Sequence, residues 1–257
     1  MNYNLHTHTV LCGHATGSAQ EYIERAVACG ITELGFSDHL PFRFPDGYES
    51  YYRIPTAEVS SYKNTLNALR EAYKDRIKIH IGFEMECYPK YFDEMLQNAR
   101  DFGAEYLILG QHFLGSEHPD GQASTKMTCD VVQLTEYVDC VVRGIESGVF
   151  TYVAHPDMIN FAGEETIYIT EMQRICDASV AHNVPLEINL LGIRGNRRYP
   201  RKLFWELVGK SGAPVTIGAD AHDPQNVYDS ASLEVAKSWI KEFNLNYIGP
   251  APIIAIK

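Results

Sequence analysis

The chain has 257 residues, of which 45% are hydrophobic, and this suits one large α/β domain with a substantial core. No apolar run approaches the roughly 18 residues of a membrane span, so we expect no membrane partner. The formal net charge of −11 argues against nucleic acid as a partner, because phosphate backbones attract basic surfaces, but it does not exclude a small phosphorylated substrate.

Predicted strands and helices alternate along the chain. A short first strand ends at Leu5, and further strands are predicted over residues 31–37, 77–83, 106–109, 151–154, 186–188 and 215–217. Helices are predicted over residues 18–29 and 56–73 and around residues 100, 137, 174, 204 and 236. This alternation predicts seven parallel strands, connected by right-handed crossovers, in a single domain over residues 1–257.

Nine candidate metal ligands lie at or just past the carboxyl ends of these strands. They are His6, His8, His14, His39, Glu84, His112, His155, Asp220 and His222. In α/β barrels that face carries the active site, so side chains far apart in sequence should converge there. Nitrogen and carboxylate ligands without thiolate suit zinc, manganese or iron in hydrolytic enzymes. The pattern therefore predicts one centre with several metal ions.

Two short spacings support this prediction. In His6-Thr7-His8 and Asp220-Ala221-His222, alternate side chains point to the same side of an extended strand, so one ion can bind both. Glu84 is predicted to bridge two ions through its two oxygens, with Glu86 as the rival on the same strand face. Asp38, which precedes His39, is interpreted as a carboxylate that orients an imidazole.

The remaining histidines and the cysteines are not predicted to be ligands. His80 is too far from Glu84 along its strand, His118 falls in a loop, and His182 ends a helix. The six cysteines form no C-x-x-C pair, and Cys12 alone lies near the candidate ligands. With no signal-peptide pattern at the N-terminus, these features favour a reduced, cytoplasmic protein. The sequence is silent on the oligomeric state.

Three stretches carry a resemblance to a known family. Leu5-His6-Thr7-His8-Thr9, His14-Ala15-x-Gly17 and Gly35-Phe36-Ser37-Asp38-His39 resemble the PHP (polymerase and histidinol phosphatase) family, in its histidinol-phosphatase branch. The resemblance implies a distorted (β/α)7 TIM-like barrel that holds three divalent metal ions. It implies one ion on His6, His8, Glu84 and Asp220, a second on Glu84, His112 and His155, and a third on His14, His39 and His222.

The resemblance also implies arginines that hold phosphate on the loops after the later strands. Arg194 and Arg197 are the candidates, because a guanidinium donates two parallel hydrogen bonds to phosphate. Arg198 is either a third such residue or part of a solvated turn. The loop over residues 41–53, with Phe42, Phe44, Tyr48, Tyr51 and Tyr52, either walls a substrate pocket or packs as an aromatic surface.

The predicted function is phosphomonoester hydrolysis by a metal-bridged hydroxide, with histidinol phosphate as the substrate that the resemblance implies. Glu84, Asp220 and His222 are the predicted catalytic residues, and either Asp220 or a metal-bound water protonates the leaving oxygen. A phosphodiesterase or exonuclease of the same family and a non-catalytic, metal-stabilised scaffold are the alternatives. An amidohydrolase is disfavoured, because no lysine occupies a comparable mid-chain strand end.

Overall fold

A computed structural model describes residues 1–256, and its strands are short. They are β1 Tyr3–Asn4, β2 Glu33–Phe36, β3 Lys78–Ile81, β4 Phe83–Met85, β5 Leu107–Leu109, β6 Phe113–Leu114, β7 Gln122–Ala123, β8 Leu186–Asn189, β9 Pro214–Gly218 and β10 Asn246–Tyr247. Parallel pairing joins β1-β2-β3, β4-β5 and β8-β9-β10, whereas β6 and β7 form an antiparallel pair.

Eight α-helices lie between the strands. They are α1 Ala19–Ala28, α2 Val59–Tyr73, α3 Phe92–Asp101, α4 Val131–Glu146, α5 Glu165–His182, α6 Leu190–Arg194, α7 Lys202–Ser211 and α8 Ser230–Glu242. Local sequence explains where several begin: Ser18 and Glu21 form a capping box at α1, and Asp130 and Asp229 cap α4 and α8. None of the helices within residues 1–256 has the length and apolarity to cross a membrane.

Isolated parallel bridges connect the separate sheets near their carboxyl ends. They pair His39 with Glu84, Leu109 with Val153, Val153 with Leu186, and Thr7 with Ala221. At the last bridge, His8 N donates to Ala221 O at 2.9 Å and Ala221 N donates to His6 O at 3.2 Å. The two predicted ligand triplets, which follow β1 and β9, therefore lie side by side.

The ends of the strands rest on apolar side chains. A small buried cluster consists of Leu5, Tyr106, Ile108, Tyr152, Ala154 and Ala251. Leu5 and Ala154 each directly precede a candidate ligand, His6 and His155, so packing of this cluster fixes the positions from which both imidazoles project. A larger core surrounds it and includes the apolar faces of the helices.

Most predicted elements are confirmed with shorter bounds, and two differ. The strand predicted over 77–83 is interrupted at Gly82, where a side chain would overlap Tyr106, and continues as β4. The segment predicted as a strand over 151–154 forms no continuous strand: Val153 makes the bridges, and Thr151 N and Ala154 N donate to Leu107 O and Leu109 O of β5, each at 2.8 Å. β6, β7, β10 and α6 were not predicted, because each is too short to show a sequence period.

Candidate metal centre

Glu84, on β4 and 1% exposed, lies at the middle of the candidate ligands. Its Oε1 lies 2.9 Å from His155 Nε2 and 3.4 Å from His112 Nε2. Its Oε2 lies 3.2 Å from His39 Nδ1, and 3.5 Å from the Nε2 atoms of both His6 and His8. Five imidazoles from four different segments therefore face one carboxylate.

Asp220 and the two outer histidines complete the group. Asp220 Oδ1 lies 3.5 Å from His8 Nε2 and 3.2 Å from His222 Nδ1. His222 Nε2 lies 2.9 Å from His14 Nε2. The structure thus brings all nine predicted ligand residues together, and we call them the ligand cluster.

Overlapping triplets of the ligand cluster have donor atoms within 4.8 Å of one another. They are His6-His8-Glu84, His6-His155-Asp220, His39-Glu84-His112 and His14-His39-His222, with His8-Cys12-His222 as a further group. The His14-His39-His222 triplet matches one ligand set that the resemblance implied. The other implied sets appear here in different combinations, because Glu84 is shared between neighbouring triplets.

The donor atoms fit divalent cations. His6 Nε2, His8 Nε2, His39 Nδ1 and Asp220 Oδ1 are buried without a hydrogen-bond partner. Leaving such atoms unpaired costs about 1–3 kcal/mol each, and a cation would remove that cost. Nitrogen and carboxylate donors in this number suit zinc, manganese or iron.

The protonation states of Glu84, Asp220 and His8 suit metal binding. Burial opposes ionisation of Glu84 and Asp220, but the facing imidazoles hold the pKa of both carboxyls well below their usual range. Burial, reinforced by His222, lowers the pKa of His8 to about 3. The carboxylates are thus charged and His8 is neutral at pH 7, as ligands must be.

Glu187, on β8, orients two members of the cluster. Its Oε1 lies 2.8 Å from His6 Nδ1, and its Oε2 accepts from His155 N at 3.1 Å and from Asn189 Nδ2 at 2.9 Å. Asn189 Nδ2 also donates to Asp220 Oδ2 at 3.1 Å. This role of Glu187 was not predicted from the sequence, although alternation in Leu186-Glu187-Ile188-Asn189 places two polar side chains on one face of a buried strand.

Two acidic side chains next to the cluster have roles other than those predicted. Glu86, the alternative to Glu84 as bridging ligand, has its Oε1 2.8 Å from His112 Nδ1. It therefore orients the His112 imidazole through the ring nitrogen that does not face Glu84. The interpretation of Asp38 was wrong. Its Oδ1 accepts from Thr9 N at 2.7 Å and from Thr9 Oγ1 at 3.1 Å, and burial raises its pKa to about 7. Within residues 1–256, the hydrogen bonds of Asp38 thus fix the segment after His8, and none joins it to an imidazole.

Two ligand residues have unusual backbone conformations. His155 has a φ of 31° and Asp220 a φ of 46°, both in the left-handed region. Arg194 Nη2 donates to the backbone oxygens of Ala219 at 3.0 Å and Asp220 at 2.7 Å. Arg194 thus holds the backbone of Asp220, and it does not line the cavity above the cluster.

That cavity has a volume of about 260 Å³. Arg197 lines it, and its Nη1 donates to Tyr199 Oη at 2.8 Å. A cavity of about 310 Å³, lined in part by Arg197 and Arg198, and another of about 370 Å³, bounded by Tyr51, Tyr52 and Phe113, share lining residues with it. We call the three together the cleft.

The aromatic loop, residues 41–53, combines both predicted possibilities. Phe42 and Phe44 are buried and pack against Tyr91, whereas Tyr51, 84% exposed, and Tyr52 line the cleft. Only the end of the loop therefore walls a pocket.

The three excluded histidines lie outside the cluster, whereas Cys12 adjoins it. His80 Nε2 lies 2.7 Å from Glu33 Oε1, His118 Nε2 lies 2.6 Å from Asp46 Oδ2, and His182 ends α5 in an exposed position. All six cysteines are free. Cys12 Sγ lies 3.9 Å from His14 Nε2, but burial raises its pKa to about 12, so the thiol stays protonated in the metal-free protein.

The PHP domain family matches residues 4–190, well over half of the chain. The chain belongs to the PHP domain family. It is 26% identical over 230 residues to a probable histidinol-phosphatase of Deinococcus radiodurans, covering 86% of each chain. It is 25% identical over 257 residues to the histidinol-phosphatase of Lactococcus lactis, covering 94% of this chain and 90% of that one.

Solved structures of PHP-type phosphatases share this fold. Histidinol phosphate phosphatase from Lactococcus lactis, in complex with zinc, L-histidinol and phosphate, superposes with a TM-score of 0.75 at 19% identity, covering 99% of this chain and 97% of that one. A putative histidinol phosphatase from Listeria monocytogenes gives a TM-score of 0.73 at 19% identity, covering 90% of this chain and 99% of that one. The α/β PHP fold is therefore shown for this chain.

Proposed function

We propose that this protein is a metal-dependent histidinol-phosphatase, which hydrolyses L-histidinol phosphate to L-histidinol and phosphate in histidine biosynthesis. The convergence of the nine residues of the ligand cluster, with Glu84 in the middle, beneath a cavity lined by Arg197 is the observation that carries the proposal. Its relatives named histidinol-phosphatase match along most of their length, which supports the choice of substrate.

The fold is proposed to be a distorted (β/α)7 barrel formed by residues 1–257 as one domain. The strand pairs and bridges support it, because they link neighbouring parallel segments in chain order. The order is β1, β2, the β3–β4 segment, β5, Val153, β8 and β9. The bridge between Thr7, after β1, and Ala221, after β9, then joins the last of these segments to the first. Closure would place every ligand at one mouth.

Three divalent ions are proposed to occupy the ligand cluster, in the sets His6-His8-Glu84-Asp220, Glu84-His112-His155 and His14-His39-His222. The observed triplets support this division, since each of the sets contains or overlaps one of them. When bound, the ions supply Lewis acidity and an acidified water as nucleophile.

The chain's own residues bind and orient the ester. Arg197 is held by Tyr199 at the cavity, where its guanidinium can donate to phosphate oxygens. The stacked rings of Tyr52 and Phe113, 5.7 Å apart, offer an apolar wall to the leaving alcohol. Asp220 is a poor proton donor at neutral pH, because the imidazoles lower its pKa. We therefore assign Asp220 to metal binding and charge stabilisation. The leaving oxygen then takes its proton from water.

The test is phosphate release from histidinol phosphate, compared with an aryl phosphate, a dinucleotide diester and a small amide, using protein of measured metal content. A strong preference for histidinol phosphate is expected. Faster hydrolysis of the diester would assign the site to nucleotide processing. Absence of hydrolysis by fully metal-loaded protein would instead indicate a scaffold.

A further inference from the structure

Arg53, at the end of the aromatic loop, is a fully buried cation between two buried carboxylates. Its Nη2 lies 2.5 Å from Glu86 Oε2 and 2.6 Å from Glu117 Oε2, and its Nε lies 2.6 Å from Glu117 Oε1. Nη1 donates to Leu40 O at 2.9 Å. The guanidinium is thus held in one orientation by contacts on several sides.

This ionic group reaches the ligand cluster through Glu86. The oxygen of Glu86 that does not contact Arg53 lies 2.8 Å from His112 Nδ1. A proton on Nδ1 shared with Glu86 would leave Nε2, which lies 3.4 Å from Glu84 Oε1, as the ring nitrogen available to a cation. Arg53 keeps Glu86 in place and neutralises its charge, so Arg53 acts on the His112 imidazole indirectly, through Glu86.

Glu117 fixes the outer end of this chain of contacts. Its carboxylate accepts from Ser50 Oγ at 2.6 Å and from Tyr88 Oη at 2.7 Å. Ser50 belongs to the aromatic loop, whose Tyr51 and Tyr52 line the cleft. Arg53 therefore joins the loop that walls the cleft to the segment that carries His112.

Stability alone does not account for this arrangement. Two carboxylates and one guanidinium leave a net negative charge in the interior, and apolar residues of similar volume often stabilise such a site more than a buried ion pair does. A fixed hydrogen bond to His112 is what an apolar group could not supply.

We propose that Arg53 is a positioning residue for the metal ion bound by His112, acting through Glu86, and that it couples the aromatic loop to that ion. The inference rests on the proposed function only in requiring that metal binds at His112.

The experiment measures Zn²⁺ affinity by competition with a chromophoric chelator, together with zinc content and thermal midpoint. Arg53→Lys keeps the charge but cannot bridge both carboxylates. Arg43→Lys is the matched control, because Arg43 is 62% exposed in the same loop and pairs with Glu49 at 2.6 Å. Arg53→Lys is expected to weaken binding of one ion by about 10- to 100-fold, the range typical of partners behind a ligand, and Arg43→Lys to bind like the wild type.

A double-mutant cycle with Glu86→Gln separates positioning from general destabilisation. If Arg53 acts through Glu86, Arg53→Lys should cost much less Zn²⁺ affinity when Glu86→Gln is already present. A lower thermal midpoint with unchanged Zn²⁺ affinity, or independent effects of the two substitutions, would overturn the inference. Should Arg53→Lys not fold, Glu117→Gln replaces it with the same expected direction and the same overturning result.

The outcome for Arg53 is distinguishable from that for the proposed function. Wild-type protein that binds Zn²⁺ but hydrolyses no phosphomonoester would refute the proposed function and still allow the affinity comparison. Wild-type protein that binds no Zn²⁺ would refute both.

Discussion

At the scale of single residues, Glu84 contacts five imidazoles from four segments of the chain. Glu84→Ala is expected to abolish turnover and to lower the metal content, with the fold largely intact, because a shared ligand is lost without loss of apolar packing. Phosphate release and metal analysis measure both effects. Glu94→Ala, at an exposed position of α3, is the control. Retained turnover at full metal content would refute the bridging role.

Arg197 lines the cavity, whereas Arg194 holds the backbone of Asp220. Arg197→Ala is expected to raise KM for phosphate esters about 10- to 100-fold, since a hydrogen bond to a charged group contributes about 1.5–3 kcal/mol. Steady-state kinetics on histidinol phosphate would show this, with exposed Arg76→Ala as the control. An unchanged KM would assign Arg197 to the surface.

The nine members of the ligand cluster were predictable because each follows an apolar strand, and strand ends share one face. Their grouping is observed, while their metal binding stays a prediction. Glu187 was not predictable in its role, because its contact with His6 spans 181 positions of the chain. Asp38 was misassigned because it was judged by its sequence neighbour His39, although alternate residues of an extended segment point to opposite sides.

At the scale of elements, β4 and the residue after β5 approach closely beside Glu84, at the centre of the ligand cluster. A Cβ at Gly110 would overlap Glu84 Oε1 and its carboxyl carbon. Gly110→Ala is therefore expected to displace Glu84, with at least about a tenfold loss of kcat/KM and of metal affinity. Steady-state kinetics and metal titration measure these losses.

Gly144→Ala is the matched control for this close packing. Its Cβ would meet the side chain of Leu109 on the same β5 strand, so it should lower the thermal midpoint slightly and leave metal binding unchanged. Equal metal affinity in both variants would contradict the displacement of Glu84.

Sequence periodicity located the elements but not their interruptions. Residues 77–83 form a continuous pattern, yet the strand is interrupted at Gly82, where Tyr106 from the next segment occupies the space of a side chain. Residues 151–154 have strand composition and donate hydrogen bonds to β5, but only Val153 forms bridges and no continuous strand results. Both outcomes depend on neighbours that the local sequence does not specify.

At the scale of the whole molecule, Glu117 connects the aromatic loop with segments that follow β4 and β6. Burial opposes its ionisation, but hydrogen bonds and charge from Arg53 lower its pKa from an ordinary value of 4.5 to about 2. Because the pKa is lower in the folded state, ionised Glu117 stabilises the protein fully above about pH 4.5. That stabilisation is lost as the pH falls towards 2.

Glu117→Gln should therefore lower the free energy of unfolding most near pH 6, by about 3–5 kcal/mol, and progressively less between pH 4.5 and 2. Urea unfolding across this range, with chelator throughout so that metal release adds no pH dependence, gives the difference between variant and wild type. A difference that does not change with pH would contradict the assigned pKa.

The α/β class and the position of the site followed from the alternation of elements. The order in which segments pair did not, since the bridge between Thr7 and Ala221 joins segments that are 214 positions apart through backbone hydrogen bonds. Backbone pairing of this kind leaves no signature in residue type.

The left-handed backbone at His155 and Asp220 bears on how this site can evolve. Among residues other than glycine, asparagine, aspartate and histidine enter that conformation most readily. Glutamate and cysteine are equally good metal ligands but do not share this tolerance. The requirement for a metal-binding atom and the requirement for a left-handed backbone therefore admit the same few residue types. Replacement by another ligand residue should be rarer at these two positions than elsewhere in the cluster.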